Sequence, residues 1–247
     1  MKTLGVFNIK GGVGKTATAV NIAYLAAREG FKVLFWDLDP QGSSTYYFRV
    51  KPRIKGGTRG LVEKKHELSQ LIKGTDFDNL DLLPADFSYR MLDIELVEKK
   101  LTTLFKILKP VTDDYDLLVL DCPPSISALS EHIFSIVDGL LVPIIPTSLS
   151  LRTYEQLMSF RTEKGYDNAT VWPFFSMVDR RKKLHRDIIE HAAEEYPEFL
   201  NSYIPYSSTV EQMGLKRAPV HSFAPSSLPA QMYQSLWEDT KFRLQLT

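Results

Sequence analysis

The residues with the plainest chemical meaning lie near the start of the chain, in the run Ile9-Lys10-Gly11-Gly12-Val13-Gly14-Lys15-Thr16. Glycines at 11, 12 and 14 let successive backbone N–H groups turn toward one point, and a lysine and a threonine follow directly. That combination suits a polyphosphate. The amides cradle it, the Lys15 ammonium reaches its outer phosphates, and the Thr16 hydroxyl can face Mg²⁺. A helix beginning here would aim its positive end at the same anion. A merely flexible glycine turn is the alternative, and the flanking elements decide between the two.

Upstream, Leu4 to Phe7 reads as a buried strand. Downstream, Ala19, Ile22, Ala23 and Ala26 share one face of a helix predicted over residues 16–29, which Gly30 can stop. The glycine run therefore sits at a strand-to-helix junction, where a phosphate loop belongs. Further apolar runs at Val33 to Trp36, Leu80 to Leu83, Leu117 to Leu120, Leu140 to Ile145 and Val171 to Met177 also read as strands. Helical patterns centre near residues 88–107, 127–136, 150–162, 183–196 and 229–243. Strands that are apolar on both faces and alternate with helices imply a mainly parallel sheet covered on each side. The expected fold is therefore α/β, a three-layer α/β/α P-loop nucleoside triphosphatase, with residues 1–247 forming one domain.

Two of these strands end in carboxylates: Asp37 and Asp39 in Trp36-Asp37-Leu38-Asp39-Pro40-Gln41-Gly42, and Asp121 in Asp121-Cys122-Pro123-Pro124-Ser125. Side chains at the carboxyl ends of parallel strands point into the crevice where open sheets bind ligands. Asp121 closing an apolar strand is what a group held near Mg²⁺ requires, although an aspartate there can also cap a turn.

The strict phosphate-loop pattern requires glycine at position 9, where this chain has Ile9. With Lys10 ahead of the glycine pair, the loop resembles the deviant Walker A motif of the ParA/MinD ATPases. The aspartate segments are similar to the DxDPQG and DxPPS signatures of the ParA-type (Soj-like) partition ATPases. The likeness continues through Leu140 to Pro143, Ser176 to Arg181, Tyr203 to Pro205 and Ala218 to Val220. The resemblance implies ATP and Mg²⁺ as ligands, and a homodimer formed on ATP binding. In that dimer Lys10 crosses to the partner's phosphates, as an arginine finger would. It makes Lys10, Lys15 and Asp39 catalytic, with Asp39 orienting the attacking water. Residues Lys10 to Ala17 then bind nucleotide, Thr16, Asp37 and Asp121 hold the metal, and Met177 and Pro205 lie near the adenine. Ala17, Ser43, Tyr206 and Thr209 depart from the family's usual residues. The last two stand where arginines are frequent, one of them a DNA contact in the resembled family.

Lysine plus arginine and aspartate plus glutamate each number 30, so nucleic-acid binding requires a local patch. One candidate is Arg180, Arg181, Lys182, Lys183 and Arg186, extended by Lys216 and Arg217. Arg181 matches a DNA-contacting position of the resembled family, and contacts of this kind would be to phosphates of any sequence. The resemblance thus implies nonspecific double-stranded DNA, a ParB-like or adaptor protein that stimulates hydrolysis, and a cytoplasmic, nucleoid-associated location. Residues 49–74 carry eight basic side chains against two acidic ones and are expected to form an exposed insertion, irregular through its first half and ending in a short helix. A solvated loop and a nucleic-acid or partner contact both fit it. The single cysteine, Cys122, excludes an internal disulfide and cannot supply an iron–sulfur cluster. A MinD-like membrane-associated ATPase is the alternative function. It would use Leu228, Met232, Tyr233, Leu236 and Trp237 as an amphipathic face, but packing of that helix onto the sheet is the expectation.

Overall fold

The structure, a computed structural model, describes residues 1–166 and 169–247. Seven strands form one sheet: β1 (Lys2–Val6), β2 (Val33–Asp37), β3 (Lys73–Gly74), β4 (Leu80–Leu83), β5 (Leu117–Asp121), β6 (Gly139–Ile144) and β7 (Thr170–Phe175). Their order is β3-β4-β2-β5-β1-β6-β7, parallel throughout except for β3, which runs antiparallel to β4 at the edge. The six predicted strands are all present within about two residues of their expected bounds. Two-residue β3 has no apolar pattern to announce it.

Alternation along each strand sends neighbouring residues to opposite faces. Leu34, Trp36, Leu118 and Leu120 enter a core covered by helices Leu92–Val97, Thr103–Leu108, Ala128–Phe134 and Ser148–Lys164. Val33, Phe35, Leu117 and Val119 enter a second core beneath helices Lys15–Arg28 and Leu228–Leu244. This is the expected three-layer arrangement. The last helix buries Tyr233, Leu236, Trp237 and Leu244 in that second core. Three of the apolar side chains that a membrane-bound form would use, Tyr233, Leu236 and Trp237, are therefore already covered. Among the described residues no helix is long and apolar enough to cross a membrane.

Two expectations are corrected. The pattern near 88–107 is three short pieces, a 3₁₀ turn Phe87–Met91 and the helices Leu92–Val97 and Thr103–Leu108. The chain has to turn over the sheet between them, so one continuous helix would carry Leu92, Leu96 and Leu104 out of the core they share. The 49–74 segment is less exposed than its charge suggests. Ile54, Leu61, Val62, Leu68 and Leu71 are buried, and helix Gly57–Val62 begins inside the half expected to be irregular. Gly56 and Gly57, at φ of 81° and 57°, start that helix rather than prevent it.

The strand pairing leaves no space at Gly139, where an added Cβ would land on the indole of Trp172 in the adjacent strand. Overpacking of this kind costs about 1–3 kcal/mol. Gly139→Ala is expected to lower the midpoint of urea unfolding correspondingly with an unchanged slope, and an unaltered midpoint would show that the β6–β7 contact is looser than described.

Candidate nucleotide site

β1 leads into the glycine loop between β5 and β6, at the point where connections leave toward opposite edges of the sheet: β1 to β2 on one side, β5 to β6 on the other. Such a switch point opens a crevice beyond the strand ends. Gly12 and Gly14 adopt φ of 72° and 93°, which side chains disfavour. A Cβ on Gly14 would also stand 2.9 Å from Ser176 Oγ, so this position needs glycine for two reasons. Thr18 N–H donates to the Gly14 carbonyl at 3.0 Å, closing the first turn of helix Lys15–Arg28 behind the loop.

Lys15 is buried, and its ammonium donates to the Lys10 carbonyl at 3.0 Å. It thereby spans the concave side of the loop. Burial pulls its pKa below the ordinary lysine value, against the opposing pull of Asp121, Cys122 and Asp39. Lys10 is different in kind. Its backbone N–H is fixed to Asn8 Oδ1 at 2.9 Å, but its side chain is exposed, and its hydrogen bond among the described residues is a long one to Ser150 Oγ, at 3.5 Å. One lysine of the loop thus points inward and the other stands at the surface.

Asp37 and Asp121 are paired in register across β2 and β5, and both are buried. Burial raises the pKa of each, and the charge of Asp37 raises Asp121 further. Asp37 Oδ2 accepts from Thr45 N at 2.8 Å and Thr45 Oγ1 at 2.6 Å, which ties it to helix Ser43–Tyr47. Asp121 Oδ2 accepts from Ser44 Oγ at 2.8 Å, the neighbouring Thr16 hydroxyl favours its charged form, and its Oδ1 has no hydrogen-bond partner among the described residues. Two buried carboxylates with one bare oxygen are poorly stabilised alone and well suited to a divalent cation. Mg²⁺ fits Asp121 and Thr16 best, whereas Asp37 is largely committed to Thr45. Asp39 is half-buried, and its carboxylate accepts from Gln41 N at 2.9 Å while its carbonyl accepts from Gly42 N at 2.9 Å. That tight turn presents Asp39 within electrostatic range of Lys15.

Met177 and Pro205 do share one cleft with Gly14 and Ala17, floored by Tyr233. Val178 N–H donates to the Ile204 carbonyl and Tyr206 N–H to the Val178 carbonyl, each at 3.0 Å, so the 204–206 segment is stitched beside the end of β7. Met177 takes φ of 56° to make that turn. The loop residues and the two expected adenine neighbours are therefore contiguous.

The basic run divides. Arg181 forms a two-point ion pair with Asp179 at 2.9 Å, Arg186 donates to the Arg180 carbonyl at 2.6 Å, and Arg180 stacks on Tyr203. Lys182 and Lys183 are exposed and make no ion pair among the described residues. Lys216 and Arg217 lie at the β2 end instead: Arg217 donates to the Tyr46 carbonyl at 3.0 Å and covers its ring, and Arg49 donates to the Lys216 carbonyl. Sequence reasoning missed Ser44, Thr45, Ser150 and Ser176. The hydroxyl run directly after Asp39-Pro40-Gln41-Gly42 was the available signal for the first two.

A family model described as an AAA domain matches residues 1–166. The virulence plasmid ParA family protein pGP5-D of Chlamydia psittaci is 31% identical over 251 residues, covering 99% of this chain and 96% of that protein. The sporulation initiation inhibitor protein Soj of Bacillus subtilis is 28% identical over 243 residues, covering 95% and 96%. Cobyrinic acid a,c-diamide synthase from Mycobacterium smegmatis, solved with an ATP analogue and magnesium, superposes with a TM-score of 0.84 at 24% identity, covering 100% of this chain and 96% of that one. The last likeness shows the fold alone.

Proposed function

Because the chain belongs to the AAA-domain ATPase family and is of the ParA/Soj type, we propose that it is an ATP-driven partition or positioning ATPase acting as one domain. The observation that supports this most is the convergence of Lys15, Thr16, Asp39 and Asp121 on one crevice while Lys10 stands exposed at its mouth. ATP would lie along residues 10–17 with its base in the cleft of Met177 and Pro205. Mg²⁺ held by Asp121 and Thr16 would neutralise charge on the outer phosphates. Lys15 binds those phosphates, and Asp39 orients the water that attacks. Two copies closing on their nucleotides bring each Lys10 to the partner's phosphates, which makes hydrolysis depend on assembly. In this reading hydrolysis is slow until an adaptor protein stimulates it, and the cycle positions a plasmid, a chromosome or a protein assembly.

Asp39→Ala tests the hydrolytic reading. It is expected to keep ATP affinity and lower turnover about 10²-fold, the usual contribution of a group that handles the proton of the nucleophile. Phosphate release at the parental rate would remove Asp39 from the reaction.

We further propose that Lys182 and Lys183, with Arg180, Arg181 and Arg186 beside them, bind DNA phosphates without regard to sequence. Arg181, whose side chain is 87% exposed, joins by exchanging its two-point pair with Asp179 for a phosphate, which the guanidinium fork fits equally well. Dimerisation doubles the contacts, so ATP strengthens binding. Lys182→Glu with Lys183→Glu is expected to weaken duplex binding and to reduce the slope of log affinity against log salt by about 1.8 per chain, from about 0.9 per phosphate contact. An unchanged slope in anisotropy titrations would place the DNA surface elsewhere.

A further inference from the structure

Ser44 is fully buried in the short helix Ser43–Tyr47, directly behind the turn that presents Asp39. Its hydroxyl stands between the two carboxylates that β2 and β5 hold in register. It is close enough to favour the charged form of Asp37, and it donates to Asp121 Oδ2 at 2.8 Å. A hydroxyl has one proton to give. Asp37 is already served by the N–H and hydroxyl of Thr45 and by the N–H of Asp39, so the proton of Ser44 goes to Asp121. The helix itself is pinned from several sides. Tyr46 N–H donates to the carbonyl of Gly42, whose own N–H closes the Asp39 turn, so turn and helix are one piece. Thr45 Oγ1 accepts from Ala85 N–H at 2.9 Å while donating to Asp37, and Arg217 donates to the Tyr46 carbonyl at 3.0 Å. Ser44 Oγ is thereby fixed relative to the end of β5, where bulk water cannot take its place.

We propose that Ser44 is a positioning residue for the metal. By holding Oδ2 of Asp121 it leaves Oδ1, which has no hydrogen-bond partner among the described residues, as the oxygen offered to the cation beside Thr16. It thereby sets a preference for Mg²⁺ over larger divalent ions; the proposal rests on the nucleotide-binding reading above. A carboxylate with both oxygens bare can rotate and offer either oxygen or both. One fixed oxygen suits Mg²⁺, which demands near-octahedral geometry at about 2.1 Å, whereas Ca²⁺ takes about six to eight oxygens and accepts both oxygens of one carboxylate. Groups that orient a metal-binding carboxylate in this way are worth about 10–100-fold in metal affinity. Because Ser44 and the Asp39 turn belong to one pinned segment, the same piece of chain places the metal's carboxylate and the group that orients the attacking water.

The test uses the full chain and a fluorescent, non-hydrolysable ATP analogue, with affinity measured in EDTA, in Mg²⁺ and in Ca²⁺. Ser44→Ala removes the hydroxyl, adds no volume and favours the helix, so the variant is expected to fold. In EDTA it should bind the analogue within about twofold of the parent, because Ser44 acts through the metal's carboxylate. In Mg²⁺ it is expected to bind about tenfold or more weakly than the parent, and in Ca²⁺ within about threefold of it. Asp121→Asn removes the carboxylate through which Ser44 acts. In that background Ser44→Ala should cost no further affinity in Mg²⁺, the signature of two coupled residues in a double-mutant cycle. The proposal is overturned if Ser44→Ala keeps the parental affinity in Mg²⁺, or if its loss is as large in EDTA, which is what a merely structural role predicts. It is equally overturned if affinity in Ca²⁺ falls as far as in Mg²⁺, or if the loss persists beside Asp121→Asn. Failure of the nucleotide-binding reading would appear separately, as a parent chain that does not bind the analogue in any of the three solutions.

Discussion

Lys10→Ala is expected to lower ATP turnover by about 10³-fold or more, the scale on which a cation supplied across an interface acts in phosphoryl transfer. Affinity of the single chain for ATP should stay within a few-fold of the parent. The reason is the placement of the side chain: exposed, with a 3.5 Å hydrogen bond to Ser150 Oγ among the described residues, it does nothing for its own loop that the backbone does not already do. The backbone N–H of residue 10 still reaches Asn8 Oδ1 in the variant, so the loop keeps its shape. The combination to be measured is ATP affinity by equilibrium binding, mass by sedimentation with and without ATP, and single-turnover hydrolysis. If the variant assembles with ATP and hydrolyses it like the parent, Lys10 does not act across an interface.

Lys15→Ala is expected to fail earlier in the cycle. Nucleotide affinity should fall steeply and turnover by about 10³-fold, since a preorganised cation facing the phosphates is lost from a site where water does not replace it. The buried ammonium now caps the Lys10 carbonyl at 3.0 Å, inside the concavity that phosphates would fill. Alanine is a good helix former at the first position of Lys15–Arg28, and removing a buried cation held below its ordinary pKa relieves a desolvation cost. Thermal unfolding should therefore be unchanged or raised. The two lysine variants are thus separable: one loses binding, the other loses only the rate after binding. Parental ATP affinity in Lys15→Ala would contradict the proposed placement of the phosphates.

The family and the chemistry of the loop were legible in the chain because both depend on local residue order. A phosphate loop is built from consecutive amides, so Gly11, Gly12, Gly14, Lys15 and Thr16 carry its meaning wherever the fold puts them. The strands were legible because a parallel sheet covered on both faces demands short unbroken apolar runs. Where these signals were absent, reading failed. Strand β3 is two exposed residues held only by β4, and the breaks within 87–108 are imposed by the path over the sheet rather than by glycine or proline.

What the sequence determined by itself is that Lys10 and Lys15 flank one glycine turn between a strand and a helix, and that Asp37, Asp39 and Asp121 end strands. Only the tertiary structure decided how they divide the work. The β2–β5 register sets Asp37 beside Asp121; Thr45 and the Asp39 N–H cover both oxygens of Asp37, whereas Ser44 covers only one of Asp121, whose Oδ1 has no hydrogen-bond partner among the described residues. Packing turned Lys15 inward and left Lys10 in solvent, and it set Lys216 and Arg217 against Arg49 and Tyr46, beside helix Ser43–Tyr47. It also gathered Lys51, Arg53, Lys55 and Lys73 around one cleft, separating them from cations of the same segment that are paired with Asp76 and Glu63. Residue order records which charges exist, whereas burial and the partners within reach decide which remain available to bind.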